Sequence, residues 1–205
     1  MRRFSLGMTV SLFALFSHGQ IQAIKDSIQG ASVIKVTLLG TGTPQPLMER
    51  FGPAILVQAG GEVLLFDAGR GCLQRLRQLN IPYDKINALF LTHLHSDHIV
   101  GLPDLWLTGW LITKRALPLK VFGPTGTDKM LAYLQQAFAY DISIRIEDDK
   151  ATSEGYKFLV NEIQQGVIYE KNGVKVIAFL VDHFPVVPAC WIPHRIQWAF
   201  SGIIG

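Results

Sequence analysis

Three histidines and an aspartate fall within six positions at the end of an apolar run, in the order His93-Leu94-His95-Ser96-Asp97-His98. Neutral imidazole nitrogen and carboxylate oxygen are the donors that Zn(II) and similar divalent ions accept, so the segment reads as a metal site. Residues 86–92 read as a buried strand, and an extended backbone sends alternate side chains to one side, which would point His93 and His95 the same way. Asp97 and His98 fall where the strand should pass into a turn and a helix, and the turn would swing a second pair of ligands toward the first. A single histidine on a strand is more often an ordinary hydrogen-bonded group. Four such groups together would each need a partner in a folded core, and a shared cation supplies one.

The elements that would carry this cluster alternate short strands with helices. Residues 33–39 read as a strand, 40–46 as a loop bounded by glycine and proline, and 54–57 with 63–66 as a hairpin around Ala59-Gly60-Gly61. The hairpin runs into Asp67-Ala68-Gly69-Arg70-Gly71, after which 72–79 has apolar residues at helical spacing until Asn80 and Pro82 end it. Beyond the histidines, 99–113 reads as broken helix in which Trp106 and Trp110, four apart, form a core stripe. A strand at 120–122, an amphipathic helix at 125–138 and a strand at 142–147 follow, and then a hairpin of 167–169 with 174–181 around Lys171-Asn172-Gly173. Strands mixed with helices and joined by hairpins predict a layered α/β fold with a mixed sheet.

At 205 residues and 49% hydrophobic content the chain suits one domain with a real core. Arg2 and Arg3 precede an apolar stretch reaching Phe16, then a polar patch and Ala23, which predicts a secretory signal peptide over residues 1–23 and a linker over 24–32. The apolar run is short for a spanning helix, so the expected product is exported, periplasmic or secreted, with no membrane anchor after cleavage. Removing residues 1–23 takes away two of the 19 basic residues and none of the 16 acidic ones, lowering the formal charge from +3 to +1. The remaining basic residues are scattered, and pairs such as Lys114-Arg115 read as a solvated face, so no strong nucleic-acid surface is expected. Cys72 and Cys190 allow a disulfide in an oxidising compartment, although Cys72 opens an apparent helix and also reads as a small core residue.

The run from His93 to His98 resembles the H-x-H-x-D-H motif of the metallo-β-lactamase superfamily of metal-dependent hydrolases. Leu38-Leu39-Gly40-Thr41-Gly42-Thr43-Pro44, Leu64-Leu65-Phe66-Asp67-Ala68-Gly69 and Gly101-Leu102-Pro103-Asp104 fit the same superfamily and are similar to its ribonuclease Z branch, which includes arylsulfatase-like members. The resemblance covers residues 33–188 and implies an αββα sandwich with mixed sheets. It also implies that His93 and His95 hold one metal with His183, that Asp97 and His98 begin a second site and serve catalysis, and that Asp67 stands behind the ligands and orients them. Residues 189–205 depart from the pattern: where the family leads into Ser-Gly-Asp, this chain has Ser201-Gly202-Ile203, so the aspartate that bridges the metals and a further histidine are not identified.

A frameshift or premature stop would account for such a divergent tail, leaving the second half of the sandwich incomplete. The resemblance implies hydrolysis of phosphodiester or sulfate esters by metal-activated water, with two Zn(II) ions in an intact member and one or fewer here. It allows a homodimer. Transfer-RNA 3′-end processing is the activity of the ribonuclease Z branch, whereas an export signal and near-neutral charge favour a small ester substrate. A contrasting expectation is a catalytically defective remnant that binds at most one metal.

Overall fold

The computed structural model of the protein describes residues 33–179. The described residues lie in one compact unit that begins at Val33. The segments read as signal peptide, linker and divergent tail, together with His183 and Cys190, lie outside the described residues.

Six strands form one mixed sheet in sequence order: β1 Lys35–Gly40, β2 Ala54–Ala59, β3 Glu62–Phe66, β4 Ala88–Phe90, β5 Leu119–Gly123 and β6 Phe158–Glu162. The first three pair antiparallel, β1 and β2 through the long loop of residues 41–53 and β2 and β3 through a tight turn, and β3 to β6 run parallel, as connections that pass through helices require. Gly60 and Gly61 close the β2–β3 hairpin at φ 56° and 80°, a left-handed turn that side chains resist. A separate hairpin, β7 Gly166–Lys171 and β8 Val174–Ala178, turns at Asn172 and Gly173, with φ 50° and 75°.

Helices cover one face of the six-stranded sheet: α1 Cys72–Gln78, α2 Ser96–Ile99, α3 Leu102–Leu111, α4 Thr127–Ala137 and α5 Ala139–Glu147. Trp106 and Trp110 of α3 are fully buried there, as their four-residue spacing predicts, and their indole N–H groups donate to the carbonyls of Tyr156 and Thr152 at 2.7 and 2.9 Å. The β7–β8 hairpin covers part of the other face, with Val174 and Val176 packed among Val57, Leu64, Phe66 and Phe90. On that face Phe66, Phe90 and Phe122 stack across adjacent parallel strands at 4.8 and 4.9 Å between centroids, and Tyr169 meets Phe90 edge-on at 5.7 Å. The helix, sheet and hairpin layers have the expected sandwich character. Among the described residues no helix is long and apolar enough to cross a membrane.

The structure departs from the sequence expectations in several places. Residues 142–147, whose isoleucines at alternate positions suggest a strand, belong to the helix α5. There Ile142 and Ile146 share the core face four residues apart, and Arg145 pairs with both Asp141 and Asp149 across successive turns. The strand β6 is not marked by the sequence, because its half-exposed side chains give no clean alternation. Arg115 is not part of a solvated face: it is 5% exposed, and its guanidinium donates to the carbonyls of Trp106 and Gly155. Burial lowers its pKa to about 10, with the charge of Asp84 acting the other way. Cys72 is a buried free thiol at the start of α1, and burial, seconded by Asp104, raises its pKa to about 12.

Candidate metal centre

The clustered side chains sit beyond the C-terminal ends of the parallel strands β3 and β4, the end of an α/β sheet where loops converge. Strand β4 is only three residues long and stops at Phe90, so His93 and His95 are not on the strand. They converge all the same, in the loop that follows. Their ring centroids lie 4.6 Å apart, and Nε2 of His93 is 3.0 Å from Nδ1 of His95. Ser96 then opens α2, a single turn of helix that carries Asp97 and His98 back toward the loop. His98 lies 4.1 Å from the His93 ring, with its Nε2 3.8 Å from Oδ2 of Asp97.

Asp67 ties these pieces together from the end of β3. Its backbone takes the left-handed region at φ 58°, uncommon for a residue with a side chain, and its N–H donates to the Phe90 carbonyl at 2.8 Å. Its carboxylate accepts from the Thr92 N–H at 2.8 Å, from the Thr92 hydroxyl, and from Nδ1 of His98 at 2.7 Å. Burial on its own would lower the pKa of His98. The hydrogen bond and charge of Asp67, with the charge of Asp97, outweigh it and hold the imidazole above its usual value. Thr92 also lies 3.0 Å from Nδ1 of His93, so one hydroxyl touches the carboxylate and a histidine of the cluster. Sequence reasoning passed over Thr92. Its position directly before His93 was the only signal.

Backbone packing fixes the helix end of the cluster. Gly69 and Gly101 allow three chain segments to meet: a Cβ on Gly101 would lie 2.3 Å from the Gly69 carbonyl oxygen, and one on Gly69 2.6 Å from the Asp97 carbonyl oxygen. The Ala68 N–H donates to the His98 carbonyl at 2.7 Å and the Gly101 N–H to the Ala68 carbonyl at 2.8 Å. Gly101 has ordinary helical dihedrals, φ −85° and ψ −5°, so alanine there carries only a steric cost. Gly101→Ala is expected to destabilise the fold by about 1–3 kcal/mol, as overpacking does, and to weaken metal binding by shifting α2. Urea melts with zinc titration measure both; an unchanged midpoint with unchanged affinity would show that this close approach is dispensable.

The donor set fits a divalent ion in two parts. Tetrahedral zinc with bonds of about 2.0–2.1 Å spaces its ligands by roughly 3.3 Å, and the His93 and His95 nitrogens are 3.0 Å apart. The imidazole of His98 facing the carboxylate of Asp97 offers a second, nitrogen and oxygen pair. Among the described residues no three histidine, cysteine or acidic groups are arranged to hold one ion. His183, the third ligand implied for the histidine pair, lies outside them.

Comparison with known proteins accords with this architecture. A ribonuclease Z from Mycobacterium sp. (strain KMS) is 40% identical over 173 residues, covering 84% of this chain and 60% of the relative. The short form of human tRNase Z superposes with a TM-score of 0.58 at 25% identity, over 77% of this chain and 62% of that one. The metallo-β-lactamase fold protein YhfI of Bacillus subtilis shares the fold at a TM-score of 0.57 and 21% identity, over 78% and 56% of the two chains. This chain thus spans about 60% of the length of the curated relatives it matches. The family described as Anti-Pycsar protein Apyc1 matches residues 34–196. Fold, motif order and this match together place the chain: it has the metallo-β-lactamase fold, is similar to ribonuclease Z proteins, and belongs to the family described as Anti-Pycsar protein Apyc1.

Proposed function

We propose that this chain carries the metal-binding part of a hydrolase that cleaves phosphodiester bonds. The observation that carries the reading is the approach of His93 Nε2 to His95 Nδ1 beside the Asp97–His98 pair, at the strand ends where Asp67 holds the loop. In this reading His93 and His95, with His183, hold one divalent ion, Asp97 and His98 begin a second site, and Zn(II) is the ion. Such an ion supplies a Lewis acid and an ionised water near neutral pH. The chain's own part is positional. Asp67 accepts the Nδ1 hydrogen of His98 and keeps that ring turned toward Asp97, and the Gly69–Gly101 contact holds α2 against the loop.

The substrate follows from the relatives rather than from the motif. Proteins named ribonuclease Z favour a phosphodiester over a sulfate ester and put RNA among the candidate substrates, whereas the near-neutral charge predicted for the mature chain favours a small phosphodiester. Purified chain, loaded with zinc and assayed on a bis-aryl phosphate, a tRNA precursor and an aryl sulfate, is expected to cleave at least one phosphodiester. Turnover of the aryl sulfate alone would defeat the proposal. Export belongs to the same proposal and rests on residues 1–23. Recovery of the unprocessed chain solely from the cytosol of its host would count against it.

A further inference from the structure

We infer that Thr92 is a positioning residue whose hydroxyl, together with Asp67, sets which nitrogen carries the hydrogen in the His93 ring and so which nitrogen faces the metal. The inference rests on the metal-centre reading above. A threonine hydroxyl has one hydrogen to donate and two lone pairs. Thr92 Oγ1 lies 3.0 and 2.9 Å from Oδ1 and Oδ2 of Asp67, and a carboxylate only accepts, so the hydroxyl hydrogen goes to Asp67. Toward Nδ1 of His93, 3.0 Å away, the hydroxyl is left with a lone pair. Nδ1 therefore carries the ring hydrogen, and Nε2, the nitrogen 3.0 Å from His95, keeps its lone pair for a ligand.

The same carboxylate sets the second ring. Asp67 Oδ2 accepts from Nδ1 of His98 at 2.7 Å, which leaves the His98 Nε2 lone pair facing Asp97. One carboxylate thus governs His98 directly and His93 through the Thr92 hydroxyl. The relay is shielded: Asp67, Thr92 and His93 are 6%, 9% and 2% exposed, so water does not compete for these bonds. Asp67 is itself held by the Thr92 N–H, so residue 92 contributes both backbone and side chain to the arrangement. Valine at this position would keep the shape and remove the lone pair; serine would keep the lone pair.

The test uses the full chain with nitrogen-labelled imidazoles. In the metal-free wild type, long-range proton–nitrogen correlation spectra are expected to show hydrogen on Nδ1 of His93 and none on Nε2. Competition with a chromogenic chelator is expected to show zinc affinity falling about 10–100-fold in Thr92→Val, the usual cost of losing such an outer partner, and staying near wild type in Thr92→Ser. Hydrogen on Nε2 of His93 in the wild type would overturn the inference. So would a folded Thr92→Val chain with unchanged tautomer and affinity. The wild-type spectrum needs no variant, so a Thr92→Val chain that fails to fold leaves that decision standing. A wild type with the Nδ1–H form that takes up no zinc would uphold the tautomer assignment and overturn the hydrolase reading.

Discussion

On the proposed metal reading, replacing His93 with alanine is expected to abolish zinc uptake and to lower phosphodiester hydrolysis on the order of 1,000-fold or more, since the ion would supply both the nucleophile and the charge stabilisation. His93 is the most buried member of the cluster at 2% exposure, and its ring lies between those of His95 and His98. Its removal leaves His95, an exposed side chain, without its nearest nitrogen partner among the described residues. In the proposed site His95 and His183 then remain, short of the three or four protein ligands that structural and catalytic zinc sites use. Elemental analysis after gel filtration, beside turnover of a bis-aryl phosphate, checks both parts. A folded variant with full zinc content and an unaltered rate would remove the metal from these residues. A thermal melt separates lost chemistry from lost structure, since alanine also vacates buried volume.

The second large effect is on stability and lies away from the metal. Glu62, at the start of β3, is 1% exposed and accepts from the Tyr169 hydroxyl at 2.5 Å, Asn172 Nδ2 at 2.6 Å and Lys171 Nζ at 2.9 Å. Those three donors belong to β7 and its turn, so one carboxylate fastens the hairpin to the six-stranded sheet. Close contact reinforces it: a Cβ on Gly60 would lie 2.4 Å from the Asn172 carbonyl oxygen. Glu62→Ala leaves the Tyr169 hydroxyl and the Asn172 amide without their acceptor. It is expected to cost about 2 kcal/mol in urea unfolding, from the loss of charge-assisted hydrogen bonds to a buried carboxylate whose donors can turn to water. A cost below about 1 kcal/mol would mean that the hairpin is held by its apolar face alone.

The same acid should make stability depend on pH. Burial pushes the Glu62 carboxyl up, but its bonds to Tyr169, Lys171 and Asn172 and the Lys171 charge outweigh that and hold it below 4.5. A carboxyl whose pKa is depressed on folding stabilises the fold above its unfolded value and loses that contribution as pH falls through the folded one. Stability attributable to Glu62 is therefore complete near neutrality and declines on acidification below about 4.5. Glu62→Gln should flatten that part of the acid limb in urea titrations. An acid limb identical to wild type would assign the dependence to other groups.

The ligand-bearing segment was legible because its chemistry is local: four donors within six residues declare themselves whatever the fold. Hairpins were legible for the same reason, since Gly60-Gly61 and Asn172-Gly173 are residues that tolerate left-handed turns. The stretch 142–147 misled because its isoleucines alternate, while the ion pairs and core contact that make it a helix span four residues and involve neighbouring elements. Arg115 misled because a guanidinium is expected in water, and the carbonyls that receive it come from positions 106 and 155.

The sequence by itself determined the donor types, their order, most of the alternation of strands and helices, and the metallo-β-lactamase resemblance. Tertiary structure alone decided that His93 and His95 meet in a loop beyond a three-residue strand, that Asp67 reaches 25 to 31 residues along the chain to Thr92 and His98, and that Glu62 clasps a hairpin 107 or more residues away. The division has a physical cause. Turn preference and ligand type are properties of a few adjacent residues, whereas burial, ring orientation and hydrogen-bond satisfaction depend on which distant segments the packed core brings into contact.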